Sequence, residues 1–452
     1  MARTHATAAI LSVGDELTLG QTLDTNGRWL ADRLTAIGIV PVEHVTVPDN
    51  LVAQARAIRD LASRADLVVC TGGLGPTADD LTRQALADAM GDALVEDRLA
   101  LAQIEAFFAA RNRPMAPINR TQALRPARGS TIPNLNGSAP GLIGSITLNG
   151  DPTSGHAART ADVYCLPGPP REMIPMFEAH VVPRLRLPEG RTVRTRVLHT
   201  FGLGESDLAQ RLGTLMDRGR TPLVGTTASG GVVSIRLRYE GHAAPAEADG
   251  LLDETERLVR EAAGEYIFAR GDHTLQDAVL ALLRARNETL GSVESCTGGG
   301  LGELVTQAAG SSASFLGSLV TYSNELKVSL AGVPAELLSP TGPGAVSAET
   351  VKAMAAGGLA KLGVTHCLAV TGIAGPDGAR PGKPVGTVFI ARASRGTGVP
   401  PVNDLGEPDC EVRRFQMTGD RQAVREWTSK TALAMLWQHL SGLPAMRLLR
   451  EV

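Results

Sequence analysis

The sequence predicts an α/β protein with two three-layer α/β domains joined by a small α+β domain, on three observations. Short β-branched runs alternate with helical patterns in two long blocks, the sequence form of parallel sheets covered by helices. The 452 residues exceed the length at which a single hydrophobic core stops growing. Between the blocks, from about 187 to 270, the strands carry alternating polar residues. The expected domains are 1–186, 187–270 and 271–452.

In the first block AAILSV (8–13) is a strand, followed by a helix in which Leu30, Leu34 and Ile37 share a face and Gly38 caps the end. IVPVEHVTV (39–47), the helix LVAQARAIRDLA and the strand DLVVCT (66–71) complete a βαβαβ pattern that runs into TGGLGPTADDLT. The middle unit reads as the strand RTVRTRVLHTF, a helix near ESDLAQRLGTLM, the strand GVVSIRLRYE and a charged helix, EADGLLDETERLVREAA. The last block opens with the helix QDAVLALLRARN. Its strands are TLGSVE, LGSLVTY, HCLAVT, PVGTVFIARA and EVRRFQM, with a long helix after Gly419. Segments 147–160 and 394–410 concentrate Gly, Pro, Asp, Asn and Ser and are expected to be surface loops.

Composition excludes several classes. Lys and Arg number 44 against 47 Asp and Glu, so no general positive field collects nucleic acid or an anionic membrane. The five cysteines, at 70, 165, 296, 367 and 410, are odd in number and lack C-x-x-C spacing, which argues against a disulfide framework and a structural zinc. No stretch reaches the ~20 apolar residues of a membrane span, and the amino terminus lacks a signal-peptide core. A soluble, cytoplasmic protein with no nucleic-acid or membrane partner is expected.

In SVESCTGGGLGE (292–303) a serine, a cysteine and a threonine precede three glycines at a predicted strand-to-helix turn. Open α/β sheets place ligands at this end of the strand. The N–H groups of Gly298 and Gly299 are expected to face outward and favour an anion or oxyanion. Ser295 needs a base, and Lys327 in VTYSNELK, following the next strand, can serve once burial lowers its pKa. His366 begins its strand, at the wrong end for a site. In VTGIAGPDG (370–378) the Thr371 hydroxyl and Gly372 N–H suit a substrate carbonyl, and Asp377 a polar group of the ligand. Adjacent residues of an extended segment face opposite ways, so only one of Ser295 and Cys296 is expected in the site. Ser295 is preferred, because no histidine is placed to activate a thiol. A packing turn is the competing reading.

In the amino-terminal block the TGGLGPTADDLT loop (71–82) brings Gly72, Gly73 and Gly75 for close approach to a phosphate. Asp79 and Asp80 supply hard oxygen ligands for a divalent cation. A helix starting with acidic residues is the plainer alternative. VGDEL (13–17), with Asp15, VPDN (47–50), with Asp49, NGSAPG (136–141) and LPGPPREM (166–173) recur at predicted strand ends.

ESCTGG, VTYSNELK, VTGIAGPDG and PVGTV, in this order, resemble the carboxy-terminal domain of the CinA (competence/damage-inducible protein A) family and stand-alone nicotinamide mononucleotide deamidases, over about 270 to 440. The resemblance implies hydrolysis of the carboxamide of nicotinamide mononucleotide, with catalysis by Ser295 and Lys327 supported by Tyr322 and Thr371, Asn324 among the substrate contacts, and no cofactor. GDRQAVR (419–425) resembles the family's closing motif, where Arg421 or Arg425 would meet a phosphate. The first block resembles the molybdopterin-binding fold of MogA and MoeA as used in CinA proteins. That implies a metal-dependent ADP-ribose pyrophosphatase whose acidic positions match Asp49 and Asp80. Pro169 stands where the family's LPG-x-P motif usually has a hydrophobic residue. The middle unit resembles the family's KH-like spacer but lacks a basic G-x-x-G loop, so RNA binding is not implied. The implied partners are nicotinamide mononucleotide, ADP-ribose and a second copy of the chain in a homodimer. The alternatives are a nucleotide-sensing or competence-related binding protein and a molybdopterin-type amino-terminal domain.

Overall fold

A computed structural model describes residues 4–148, 159–395 and 409–452; most of the two predicted surface loops, 149–158 and 396–408, lies outside the described residues. The chain is mixed α/β and divides into two compact units, Met1–Arg194 with Glu240–Asp249, and Thr195–Tyr239 with Gly250–Val452.

The first unit is built on strands β1 (Thr7–Val13), β2 (Val40–Val47), β3 (Leu67–Thr71), β4 (Leu94–Glu96), β5 (Leu124–Pro126), β6 (Ser130–Ile132), β7 (Gly141–Leu148) and β8 (Arg159–Leu166). Six of them form one sheet in the order β2-β1-β3-β8-β7-β6, and β4 and β5 form a separate ribbon. β1, β2, β3 and β8 are parallel, whereas β7 and β6 run antiparallel at one edge. The all-parallel expectation is corrected here: ten residues between β7 and β8 are too few for a crossover helix, so the chain returns antiparallel. Helices Leu51–Ala62 and Thr82–Met90 cover one face, and Thr25–Ala36 and Pro170–Met176 the other. β3 is buried along its whole length, as a central strand between two helical layers must be.

Most of the small α+β region, with β9 (Thr192–Phe201), β10 (Leu223–Ser229), β11 (Val232–Gly241) and β12 (Ile267–Arg270) in the order β10-β11-β9-β12, falls within the second unit. The main sheet of this unit has the order β14-β13-β15-β16-β17, from β13 (Leu290–Glu294), β14 (Phe315–Val320), β15 (His366–Gly372), β16 (Thr387–Ser394) and β17 (Asp409–Gln416). β14, β13 and β15 are parallel, and β16 and β17 are antiparallel. Helices Leu275–Arg286 and Arg421–Leu440 pack on one face and Ala348–Leu362 on the other. The side chain of Thr274 accepts from the Asp277 N–H while Asp277 accepts from Thr274, a reciprocal cap that fixes where the first of these helices starts. Ser347 and Asp420 cap the other two. Among the described residues no helix is long and apolar enough to cross a membrane.

Candidate active sites

Register assembles the carboxy-terminal site. Glu294 lies opposite both Val320 and Val370, so β13 and β14 end at one level while β15 runs two residues further, and Ser295, Thr321-Tyr322 and Thr371-Gly372 come side by side. A cleft of about 300 Å³ opens there. Lys327, on the short helix Asn324–Ser329, points back beneath this edge and is 1% exposed. Its Nζ lies 3.1 Å from Ser295 Oγ, 2.8 Å from the Thr321 carbonyl and 3.1 Å from the Tyr322 carbonyl. Burial lowers the Lys327 pKa from its ordinary 10.5, with the Glu325 carboxylate partly opposing.

Asn324, Thr371, Gly372, Asp377 and Arg421 border the same cleft, as does the ring of Tyr322. The Thr371 hydroxyl donates to the Ala345 carbonyl at 2.7 Å, so as a donor it is already committed. Gly372 differs. Thr371 pairs with Phe389, and the Ile373 N–H donates to Thr387 O across β16; by alternation the intervening Gly372 N–H faces the side where β13 has ended, at Ser295. Arg421 donates to the Gly375 carbonyl (2.7 Å) and the Tyr322 hydroxyl (2.9 Å). Arg425 instead donates to the Thr297 carbonyl at 2.8 and 3.1 Å and is not among the residues that border the cleft.

Two parts of the sequence reading change, and the placing of His366 does not. Gly298 and Gly299 do not offer an anion cradle: the Gly298 N–H donates to Ser295 O and that of Gly299 to the Glu294 carboxylate. Their positive φ values, 58° and 95°, serve to turn the chain around that carboxylate. Ser295 and Cys296 both border the cleft, because they lie in a turn and not on an extended strand. Cys296 also packs into the apolar core, where burial pushes its pKa to about 12. His366 is buried at the far end of β15, held by Glu288 at 2.9 Å and Ser394 at 2.8 Å.

Sequence reasoning missed Glu294, Arg380 and Lys383. Glu294 is fully buried and accepts from Thr297 Oγ1, Ser318 Oγ and the N–H groups of Gly299, Leu301 and Gly302, at 2.7–3.0 Å. It thereby satisfies the amides that open the helix Gly300–Thr306 and sets the backbone carrying Ser295. The signal was present: a carboxylate closing an otherwise apolar strand directly before a glycine turn. Arg380 and Lys383 come from the β15–β16 connection and, with Arg421, place three cations around the cleft.

In the first unit the ends of β1, β2, β3 and β8 surround a larger cleft of about 700 Å³, bordered by Gly72, Gly73, Gly75, Asp49, Asp79 and Asp80. The glycine loop is again closed from within. Asp80 accepts from the Gly75 and Thr77 N–H groups at 2.8 and 2.9 Å and from the Thr77 hydroxyl. The Gly72 N–H donates to Leu166 O, and buried Arg83 holds the Leu74 and Gly75 carbonyls. Of the three predicted phosphate-binding glycines, only Gly73 keeps an N–H without a partner among the described residues.

The four aspartates are likewise not a preformed ligand set. Asp15 Oδ1 accepts from the Asp49 N–H and Asp49 Oδ2 from the Asp15 N–H, a reciprocal brace between two loops. Asp80 is spent on its loop, and Asp79 is exposed. Among the described residues no group of three or more His, Cys, Asp or Glu is placed to hold a metal ion. Burial raises the Asp49 pKa, and the neighbouring charges of Asp15, Glu16 and Asp79 add to the rise.

The model of the CinA C-terminal domain matches residues 272–440, that of a probable molybdopterin binding domain residues 9–187, and that of the KH domain of damage-inducible protein CinA residues 195–269. A protein of Symbiobacterium thermophilum named as competence-damage inducible is 42% identical over 96% of this chain and 99% of its own. A CinA-like protein of Geobacter metallireducens is 41% identical over 96% and 98%. The solved structure of CinA from Thermoplasma acidophilum is 31% identical, covering 40% of this chain and 99% of its own, at a TM-score of 0.35.

Proposed function

This chain belongs to the CinA family, and from that premise we propose that its carboxy-terminal cleft hydrolyses the carboxamide of nicotinamide mononucleotide to the acid and ammonia. The observation that carries the reading is the buried Lys327 amine 3.1 Å from the Ser295 hydroxyl, on the wall of a ligand-sized cleft. Desolvation favours the neutral amine that a general base requires. Ser295 Oγ attacks the carboxamide carbon while its proton passes to Lys327 Nζ. The carbonyl π bond opens, and the Gly372 N–H is placed to stabilise the oxyanion. The amine hands the proton to the departing nitrogen, the C–N bond breaks, and ammonia leaves an ester on Ser295. Water then adds, giving its proton to Lys327. Collapse breaks the ester bond, and the proton returns to Ser295 Oγ. Arg380, Lys383 and Arg421 suit a phosphate monoester at the mouth. Ammonia release from nicotinamide mononucleotide tests the reading; a pure nucleotide sensor would bind it and release none.

A second reading concerns the amino-terminal cleft, which we propose takes a nucleoside diphosphate sugar such as ADP-ribose. Its volume, more than twice that of the other cleft, favours a larger ligand. Since the aspartates form no cage, the reading is one of binding, and hydrolysis with metal is what assay decides. AMP formed from ADP-ribose only with a divalent ion supports the pyrophosphatase; no AMP with any metal removes it.

A further inference from the structure

The first turns of the helix Arg421–Leu440 hold the loops that frame Ser295 and Lys327. Arg421 ties the Gly375 carbonyl and the Tyr322 hydroxyl, and Arg425, one turn on, donates twice to the Thr297 carbonyl. Thr297, Tyr322 and Gly375 follow β13, β14 and β15 in turn. The Thr297 carbonyl also accepts from the Gly300 N–H at 3.1 Å, within the turn that carries Ser295. Glu294 thus takes the amides of this turn and Arg425 its carbonyl.

Further along the same helix, Trp427 and Lys430 meet the turn Gly230–Gly231 that joins β10 to β11. Lys430 Nζ donates to the Gly230 carbonyl at 2.7 Å. Gly231 lies so close to the indole that a Cβ there would stand 2.8 Å from a ring carbon of Trp427. Trp427 also meets Phe201 of β9, with ring centroids 6.2 Å apart, and the Arg450 guanidinium stacks 3.7 Å from the centre of its ring. Phe201, Val232 and Trp427 all join the apolar core beneath that helix.

We propose that the Gly230–Gly231 turn is a buttress for this helix and that, through Arg425 as a positioning residue, it aligns the loop bearing Ser295. The small α+β region then has a task besides spacing. A guanidinium that donates twice to one carbonyl fixes direction as well as distance, so a displaced helix carries the loop with it. For catalysis the proposal rests on the deamidase reading; for the loop it does not.

The test is hydrogen exchange of the full chain, read by mass spectrometry over residues 296–300, beside ammonia release from nicotinamide mononucleotide. Gly231→Ala drives a methyl group into the indole and should speed exchange of 296–300 by about twofold to thirtyfold, the range of coupling through packed elements, while β15 exchanges as in the parent. Lys430→Met, which alters no residue of the hairpin, should act in the same direction, and Lys430→Arg, which keeps a donor, should match the parent. Arg425→Met should also speed exchange, and should lower kcat while keeping KM, because Arg425 does not border the cleft. Adding Gly231→Ala to Arg425→Met should change the segment little further, since both act through one contact. If Gly231→Ala and Lys430→Met leave 296–300 as in the parent, or if the effects of Gly231→Ala and Arg425→Met add in full, the buttress is overturned while the deamidase reading stands. If the exchange pattern holds but the parent releases no ammonia, the deamidase reading falls and the buttress stands.

Discussion

In the amino-terminal loop Asp80 takes the N–H groups of Gly75 and Thr77; in the carboxy-terminal loop Glu294 takes those of Gly299, Leu301 and Gly302. Both loops follow a buried parallel strand, precede a helix and are closed by a carboxylate of their own. They differ in depth and in what they hold. Asp80 is half-buried, and the loop it closes carries no nucleophile. Glu294 is fully buried, and the residue next to it is Ser295, with Lys327 against it. A glycine loop at a strand end is therefore not by itself an anion site. Once an internal carboxylate has used its amides, it becomes a mount, and its chemistry depends on the side chain mounted there.

The largest expected effect tests what the second loop carries. Ser295→Ala should lower ammonia release by at least about a thousandfold, as loss of a nucleophile does, whereas Cys296→Ala should keep activity. The reverse pattern would make the thiol the attacking group. Lys327→Met should cost about a hundredfold or more, and combined with Ser295→Ala it should add little, because the two act as a unit. Wild-type kcat/KM should rise with pH through the lowered Lys327 pKa and level off above it. Stability has the same sign: between that lowered pKa and the ordinary 10.5 the unfolded chain binds the extra proton, so the Lys327 contribution to stability rises with pH across this window. Denaturant midpoints of wild type and Lys327→Met at several pH values would show it.

Comparing the two carboxylates sharpens the contrast in depth. Glu294→Ala strands three backbone amides in the interior and should cost about 3 kcal/mol or more, given about 1–3 kcal/mol for each unmet group. Asp80→Ala leaves its amides near water and should cost about 1 kcal/mol, the scale of a lost helix cap. Equal losses in thermal denaturation would remove the distinction. The smallest effect belongs to Tyr322→Phe, which frees Arg421 from one partner. A change of KM by about twofold to threefold with kcat kept would match a role in positioning.

The sequence pointed to Ser295, Lys327 and Thr371 because they stand just after a strand, on the segment that follows one and at a strand's last residues, and strand ends of a parallel sheet converge whatever the intervening chain does. What it hid depends on partners. Gly298 and Gly299 look like free donors until Glu294 is seen to reach five and eight residues ahead. Asp15 and Asp49 look like ligands until each is seen to brace the other's backbone. The ribbon of β4 and β5 escaped notice because its strands are three residues long, too short for alternation to register. The antiparallel edges escaped because periodicity within a strand carries no direction.

The surroundings of Lys327 Nζ also fix where hydrogen can reside. A neutral amine has two hydrogens and one lone pair, and two of its three neighbours, the carbonyls of Thr321 and Tyr322, can only accept. Both hydrogens are spent on them, so the lone pair is left for the alcohol of Ser295. Charging the nitrogen changes none of these positions; the new hydrogen simply occupies the third direction. The transfer thus runs back and forth along a single lane without repacking, and the same lane is open to any small nucleophile that replaces water. Hydroxylamine added during turnover should be captured as a hydroxamate, a chemical imprint of the ester.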